Sequence, residues 1–477
     1  MTRPARDPAP RPGRGGARGP ARPRVDPARR IAYETLAAVH RDDGYANLVL
    51  PRLLREHHLH GRDAAFATEL AYGTLRLSGS LDAVIASAAD RAVDRIDPPT
   101  RDALRLGAYQ LLHLRVPPHA ATSTTVDLVR AVAPGAVGFA NAVLRRIGAK
   151  DWPAWIEELA PSGEAERLGF VHAHPPWIVR AFGDALGSGG AAAGLGPAAD
   201  DGDLEALLVA DNTPAPVHLC ARPGRITAAE LAERTGGTVG PYGRYAVHLP
   251  AGAPGDHREV ARGLAHVQDE GSQLVAAALA EAPLDGPDGR WLDLCAGPGG
   301  KAALLGALAG QRGARLTAVE VAPHRARLVE GAVRGLPVEV VCEDGREFDA
   351  EPFDRVLVDA PCTGLGALRR RPEARLRRQP SDIPELTRLQ RELLASAIRL
   401  TRPGGVVLYA TCSPHLAETA GVVADAVRRH GVCSLDTTPL FAPAGDLVAG
   451  AAGHHVQLWP HRHGTDAMFA AALRRPE

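Results

Sequence analysis

The sequence has very little lysine and no net charge. Lys150 and Lys301 are its two lysines, and 55 basic residues, the rest of them arginine, are balanced by 55 acidic ones. Any affinity for nucleic acid must therefore come from local basic segments, because the chain as a whole carries no excess charge. In a chain that otherwise uses arginine, Lys301 is a candidate for a compact ammonium group with a specific partner.

Paired metal-binding cysteines and long apolar runs are also missing. None of the six cysteines forms a CxxC pair, so we expect neither a zinc site nor a disulfide framework, and no metal. We find no run of about 18 apolar residues and no signal-peptide core. We therefore expect a soluble, cytoplasmic protein that binds no membrane, and we expect it to be a monomer.

A chain of 477 residues is too long for one ordinary core, so we expect several domains. Residues 1–24 are rich in arginine, proline and glycine and predict a disordered basic tail, either a weak nucleic-acid tether or a solvated terminus. Residues 25–150 repeat apolar side chains at helical spacing between proline breaks and predict an all-α domain.

Residues 151–283 have a mixed pattern that predicts linker helices and a small α/β subdomain, in which two strands flank a helix. We expect a loop at 187–203, where Gly, Ala and Asp dominate. The last helix of this region begins near Gln268. Its polar start could face the cofactor entrance, but we expect it to lie on a solvated face.

Residues 284–477 alternate apolar strands with helices, which predicts a Rossmann-like α/β domain with a mostly parallel sheet. Ligands of such a sheet bind beyond the carboxyl ends of its strands. The predicted strands are Trp291–Leu294, Leu316–Val321, Val338–Cys342, Arg355–Asp359 and Val406–Ala410.

A glycine-rich turn follows the first of these strands, in WLDLCAGPGGK. Gly297, Gly299 and Gly300 let backbone N–H groups approach a ligand at the start of a helix. Glu320 ends the next strand, about 20 residues later, where an acid can bind ribose hydroxyls. Asp344 follows the third strand and could accept a hydrogen bond from an exocyclic amine such as that of adenine. The pattern favours a nucleoside-type cofactor over a plain glycine turn.

Two cysteines and a carboxylate follow the fourth and fifth predicted strands. If those strands are neighbours, Asp359, Cys362 and Cys412 share one crevice with the cofactor. A thiolate that adds to C6 of a pyrimidine makes C5 nucleophilic, and a carboxyl group at N3 of cytosine can stabilise that adduct. The alternative for each cysteine is a small buried apolar side chain.

Three motifs, CAGPGGK, DAPC (359–362) and TCS (411–413), together resemble those of the RNA (cytosine-C5) methyltransferases, the NOL/NOP/Sun family. The segments AYETLAAV, FATELAYGTLR and FANAVLRR resemble the helical RNA-binding domain of the NusB antitermination factor. The combination is similar to the bacterial RsmB (Sun/Fmu) branch nearly end to end.

The resemblance implies S-adenosylmethionine as cofactor and a single-stranded or flipped cytosine of small-subunit (16S) rRNA as target, methylated through a covalent adduct of cysteine with C6. It implies Cys412 as the nucleophile, and Cys362 as the residue that assists loss of the C5 proton and release of the enzyme. The cofactor-binding residues that it implies are Cys295, Ala296, Gly297, Pro298, Gly299, Gly300, Lys301, Glu320, Asp344 and Asp359.

Two segments depart from the family pattern. The family's Pro-Glu-Asn-Glu run after TCS reads Pro-His-Leu-Ala-Glu-Thr here and lacks the asparagine, and its Gly-Thr-Asp-Gly-Phe-Phe reads Gly-Thr-Asp-Ala-Met-Phe at 464–469. We expect the latter still to close the sheet. Neither change affects Cys362, Cys412 or Asp359.

A run of arginines, RRRPEARLRR at 369–378, directly follows the Pro-Cys motif, and we expect it to bind RNA phosphates. Three other functions stay open: methylation of tRNA or another RNA, methylation of a small molecule or protein, and a non-catalytic RNA-binding factor. The two strand-end cysteines argue against the second, because nitrogen or oxygen methylation needs no thiol. The intact glycine turn and acids argue against the third. The chemistry alone does not exclude DNA.

Overall fold

A computed structural model describes residues 25–188, 201–250, 255, 257–444 and 454–477. The predicted basic tail at 1–24 and most of the predicted loop at 187–203 lie outside these residues. The first domain is all-α, as predicted. Its helices are α1 (Pro27–Arg41), α2 (Ala46–Glu56), α3 (Gly61–Ala89), α4 (Pro98–Leu112), α5 (Pro118–Val132) and α6 (Val137–Ile147).

Local chemistry sets the starts of these helices. Asp26 and Asp97 accept hydrogen bonds from the first-turn N–H groups of α1 and α4, and a proline follows each of them at the first helical position. The long helix α3 lies against α1 and α4. Gly73 lets α3 and α4 approach, because a Cβ at that position would lie 2.1 Å from the Tyr109 hydroxyl.

The middle region has linker helices followed by a small antiparallel sheet. The helices are α7 (Trp152–Leu159), α8 (Glu164–Val171), α9 (Pro176–Gly183) with a π-helical turn at Asp184–Ser188, and α10 (Asp201–Asn212). The sheet contains β1 (Val217–Ala221), β2 (Thr238–Val239), β3 (Ala246–Leu249) and β4 (Ala265–Val267), in the order β2-β3-β1-β4. Helix α11 (Ala228–Thr235) connects β1 to β2, and α12 (Arg258–Ala261) precedes β4. The predicted strand–helix–strand unit is confirmed as β1, α11 and β3.

The C-terminal region forms the predicted α/β domain around a mixed sheet. Its strands are β5 (Arg290–Asp293), β6 (Arg315–Val319), β7 (Val338–Val341), β8 (Phe353–Asp359), β9 (Thr401–Thr411), β10 (Cys433–Ser434), β11 (His455–Gln457) and β12 (Phe469–Arg474). Their order is β10-β12-β9-β8-β5-β6-β7. Strands β5 to β9 pair in parallel, whereas β12 pairs antiparallel with β9 and β11 with β12. The segment at 464–469 therefore leads into a strand of the sheet, as expected.

Helices cover both faces of this sheet. They are α13 (Glu270–Glu281), α14 (Gly300–Gln311), α15 (Pro323–Ala332), α16 (Ala374–Arg377), α17 (Asp382–Leu400), α18 (Ala420–His430) and α19 (Pro460–His463). Apolar residues of α13 and α14 share one core with the sheet, and residues of α17 and α18 share a second core on its other face. No helix in the described ranges combines the length and hydropathy that crossing a bilayer requires.

The polar start of α13 is buried, so the expected solvated face is wrong. Asp269 accepts hydrogen bonds from Arg370 and from the Asp466 backbone N–H, and Glu270 accepts them from the Tyr242 and Gly243 N–H groups. These carboxylates join the small sheet, the large sheet and the segment after β8. Amphipathic spacing alone cannot distinguish such partners from water.

The arginine run at 369–378 is mostly internal, so the prediction that it binds RNA phosphates is wrong for most of its members. Arg375 is fully buried and donates to the carbonyl oxygens of Arg76, Ala173 and Asp211. Arg377 donates to the carbonyl oxygens of Val39 and Gly44. The remaining partners are Asp269 and Asp466 for Arg369 and Arg370, and the carbonyls of Cys362 and Thr363 for Arg378. The run therefore holds the segment after β8 against both other regions, and Arg371 alone among its six arginines is exposed.

Two glycines of α3 give a matched test of the helical packing. Gly73→Ala is expected to lower the free energy of unfolding by about 1–3 kcal/mol, because the methyl group would overlap Tyr109. Gly79→Ala, on an exposed turn of the same helix with its nearest neighbour 4.0 Å away, is expected to raise it by about 0.5–1 kcal/mol. Urea unfolding of both variants checks the pair, and equal effects at the two positions would contradict the packing of α3 on Tyr109.

Candidate active site

The candidate site lies where the parallel strands β5, β6, β8 and β9 end. Asp359 is opposite Ala410 in the register of β8 and β9, and the Ala360 N–H donates to the Ala410 carbonyl (2.9 Å). The two chains continue side by side, so the Sγ atoms of Cys362 and Cys412 approach to 3.5 Å. Both cysteines are partly exposed. The strands predicted to be neighbours are neighbours, and they bring both sulfur atoms and the Asp359 carboxyl group together.

The two thiols have different acidities. A hydrogen bond from the Cys362 thiol lowers the pKa of Cys412, and the Lys301 and Arg371 charges add to this effect against burial and Asp359. The same hydrogen bond raises the pKa of Cys362, together with burial and the Cys412 charge. Cys412 is therefore the more acidic thiol of the pair, and the one that more readily forms the nucleophilic thiolate.

Lys301 connects the glycine turn to the thiols. Its Nζ donates to Asp359 Oδ2 at 2.8 Å, within a region that is nearly closed to solvent. Although burial lowers the pKa of Lys301, the neighbouring Asp359 carboxylate raises it above its usual value. One of the two lysines of the chain thus has a specific carboxylate partner, Asp359, as its rarity suggested.

Sequence reasoning missed Asp293, which ends β5. Its carboxyl group is fully buried, and within the described ranges the Cys295 backbone N–H donates to it but no side chain does. Burial, followed by the Asp359 charge, raises the pKa of Asp293 to about 7. The signal that could have indicated it is a charged residue inside the apolar run WLDL.

The glycine turn at 297–300 is closed by Glu320. The Gly297 N–H donates to Glu320 Oε2 and the Ala322 N–H to Glu320 Oε1, each at 3.0 Å. A Cβ on Gly297 would lie 2.1 Å from Glu320 Oε2, so the acid and the turn can meet only through glycine. Gly299 has φ +112°, and the peptide bond before Pro298 is cis. Helix α14 begins directly after this turn, at Gly300.

The remaining predicted cofactor residues lie on the same edge of the sheet. The Ala296 N–H donates to the Val319 carbonyl (2.9 Å), and Cys295 lies next to it with its thiol pKa raised by burial. Asp344 follows the edge strand β7, beyond β6 and Glu320. Both of its oxygens accept hydrogen bonds from Arg346, so its role at an adenine amine stays a prediction.

A second missed residue, Glu418, fixes the positions of both cysteines. Its fully buried carboxylate accepts hydrogen bonds from the Thr363 N–H (2.8 Å) and the Ser413 hydroxyl (2.7 Å), which follow Cys362 and Cys412 directly. It also accepts from Thr363 Oγ1 and Gln390 Nε2. Glu418 lies within the segment that lacks the family's asparagine, so that departure leaves this carboxylate intact.

Two family models match the chain. The model described as 16S rRNA methyltransferase RsmB/F matches residues 281–474, and the model of the NusB family matches residues 26–149. Together they cover the two regions in which the sequence motifs lie, and they leave the middle region unmatched.

Relatives match over nearly the whole chain. A protein of Mycobacterium tuberculosis described as a methyltransferase is 62% identical over 96% of this chain and 99% of its own length. Ribosomal RNA small subunit methyltransferase B of Pseudomonas syringae is 32% identical over 93% of this chain and 96% of its own length. The crystal structure of PH0851 has a TM-score of 0.77 and 22% identity, over 94% of this chain and 99% of that one, which shows the shared fold.

The thiol pair predicts a pH dependence that alkylation can measure. The Cys412 thiolate should form, and react with iodoacetamide, below the pH at which an ordinary thiol does. In Cys362→Ala the midpoint should move to higher pH, because the thiolate loses its hydrogen bond, whereas the hydroxyl of Cys362→Ser should retain part of the effect. Peptide-level mass spectrometry separates Cys412 from the exposed Cys433, which serves as the internal reference. An unchanged midpoint in Cys362→Ala would show that the thiols do not interact.

The clamp made by Glu418 predicts a loss of stability. Glu418→Gln places an amide where four donors converge, so we expect the free energy of unfolding to fall by about 1–3 kcal/mol. Glu392→Gln, at an exposed ion pair with Arg346, should change it by less than about 1 kcal/mol. Thermal and urea unfolding compare the two variants. Equal, small effects would mean that Glu418 does not hold the cysteine segments.

Proposed function

Because this chain belongs to the 16S rRNA methyltransferase RsmB/F family, we propose that it forms 5-methylcytosine in small-subunit rRNA, with S-adenosylmethionine as the methyl donor. The observation that carries the proposal is the 3.5 Å contact between Cys362 and Cys412 beside Asp359. Methylation at a pyrimidine carbon needs such a thiol, and methylation at nitrogen or oxygen does not.

The donor set at the strand ends fits S-adenosylmethionine. The turn at Gly297 brings backbone close to Glu320 where a Cβ would not fit, and the buried Asp293 carboxyl group has no side-chain hydrogen-bond donor in the described chain. We assign Glu320 to the ribose hydroxyls, Asp344 to the adenine amine, and the segment 295–301 to the remainder of the cofactor. When bound, the cofactor supplies an electrophilic methyl group.

Cys412 is proposed to attack C6 of the target cytosine. The hydrogen bond from Cys362 and the charge of Lys301 stabilise its thiolate, which supports this assignment. The new C6–S bond moves electron density to C5, which then accepts the methyl group. The target base must leave its stack to reach the thiolate, because C5 and C6 are inaccessible within a helix.

Asp359 is proposed to act at N3 of the cytosine. Its carboxyl group is held by the Lys301 ammonium at 2.8 Å, in position to pass to N3 the proton that the Cys412 thiol loses as its sulfur adds to the ring. Protonation at N3 stabilises the adduct, and the proton returns along the same route when the adduct breaks down.

Cys362 is proposed to assist the last step. Loss of the C5 proton restores the C5–C6 double bond and expels the Cys412 thiolate. Once Cys412 is bonded to C6, its charge no longer raises the pKa of Cys362, which can then ionise, and the 3.5 Å contact between the two sulfur atoms places the Cys362 thiolate beside the adduct to take up this proton.

Substitution of Cys412 tests the nucleophile. Cys412→Ala should reduce methyl transfer from labelled S-adenosylmethionine to small-subunit rRNA by more than roughly a thousandfold. Binding of the cofactor, measured by calorimetry, should persist, because the thiol is not part of the proposed cofactor site. Cys433→Ala, at an exposed strand, is the matched control and should retain full activity. Retained turnover in Cys412→Ala would overturn the assignment.

Cys362→Ala is expected to give a different phenotype. The adduct should form but fail to resolve, so that a protein–RNA species stable to denaturant accumulates. Denaturing gel electrophoresis detects this protein–RNA species. Separately, bisulfite sequencing of rRNA from cells that lack the protein identifies the cytosine that is methylated. Loss of activity without an adduct would instead make Cys362 the attacking residue.

A further inference from the structure

One aromatic side chain of the helical domain lies at the segment that follows Cys362. Tyr45 immediately precedes α2, and 50% of its surface is exposed. The guanidinium carbons of Arg371 and Arg377 lie 5.9 Å and 5.5 Å from the centre of its ring. Tyr45 therefore belongs to the first domain, but its ring contacts the segment that follows Cys362.

The segment that follows Cys362, residues 363–378, is close to both thiols. The Gly366 N–H donates to the Cys412 carbonyl (2.9 Å), and the Arg371 N–H donates to the Ala367 carbonyl (3.0 Å), one turn later. Arg378 donates to the Thr363 carbonyl (3.0 Å), next to Cys362. The segment thus folds back over the cysteines, and Arg371 is near enough for its charge to lower the pKa of Cys412.

Arg371 and Arg377 have different roles at Tyr45. Arg377 is used internally, since it donates to the Val39 and Gly44 carbonyls at 2.8 Å and 2.7 Å and so holds the turn that carries Tyr45. Arg371 is exposed, and within the described ranges its guanidinium has no hydrogen-bond acceptor. A fixed, half-exposed ring thus adjoins a guanidinium group whose donors are free.

We propose that Tyr45 and Arg371 bind the nucleotide next to the target cytosine, Tyr45 by stacking on its base and Arg371 through its phosphate. The inference rests on the proposed RNA methylation at Cys412. A cytosine that leaves its stack exposes one face of its neighbour, and an aromatic ring replaces the lost contact whatever the identity of that base. The guanidinium fork matches a phosphate group. The helical domain then supplies part of the active site itself.

Substitutions at Tyr45 test the stacking. Tyr45→Ala should raise the KM for small-subunit rRNA by roughly 5- to 100-fold, the range that loss of one base–aromatic stack gives. The KM for S-adenosylmethionine should not change. Tyr45→Phe, which retains the ring, should behave as the wild type. Arg371→Gln should raise the KM for RNA and reduce the slope of its logarithm against the logarithm of salt concentration by about one.

Leu48→Ala is the matched control, since Leu48 is 66% exposed on the same helix, outside the contacts with the arginines. It should leave both KM values unchanged. An unchanged KM for RNA in Tyr45→Ala, or an equal loss in Tyr45→Phe, would overturn the stacking role while the wild type still methylates RNA. Failure of the wild-type protein to methylate any RNA would instead remove the proposed function, and the inference with it.

Discussion

The contact between the sulfur atoms of Cys362 and Cys412 is the constraint on which the rest of the site depends. Parallel pairing of β8 and β9 makes the contact possible, because both strands reach the same edge of the sheet and their continuations stay side by side. A single hydrogen bond then lowers the pKa of one thiol and raises that of the other. Two chemically identical side chains thereby acquire different acidities, and the charges of Lys301 and Arg371 add to the difference.

Charged residues around the thiols serve position as much as chemistry. Glu418 holds the backbone behind each cysteine, Lys301 holds Asp359, and Glu320 closes the glycine turn. Each of these groups is largely shielded from water, where a hydrogen bond to a charge is strong and an unpaired charge is costly. The buried carboxyl group of Asp293 is the exception, and burial raises its pKa to about 7.

Much of this arrangement could be predicted from the sequence, and the parts that could not have a common physical cause. The strands, the glycine turn and the convergence of Asp359 with the two cysteines follow from local patterns and from the rule that parallel strands end together. The buried contacts of Arg375 and Asp269 could not be predicted. A charged side chain looks the same in the sequence whether it faces water or a buried partner far away in the chain. Tyr45 is harder still, since its neighbours Arg371 and Arg377 lie more than 300 residues away. Glu418 and Asp293 could have been identified from the sequence, because each is an acidic residue close to one of the motifs.

The buried arginines limit how this architecture can be assembled from parts. Arg375 gives one hydrogen bond to the Asn212 side chain and the others to main-chain oxygens of Arg76, Ala173 and Asp211. Every residue has a main-chain oxygen. The contacts to these oxygens therefore depend on the backbone path of the helical domain and the linker helices, and little on their side chains. Point substitutions in those helices can therefore be tolerated next to Arg375. Exchange of the whole helical region for one of another shape would instead leave a buried guanidinium group without hydrogen-bond acceptors. Such a chain can diverge in sequence far more readily than it can be recombined.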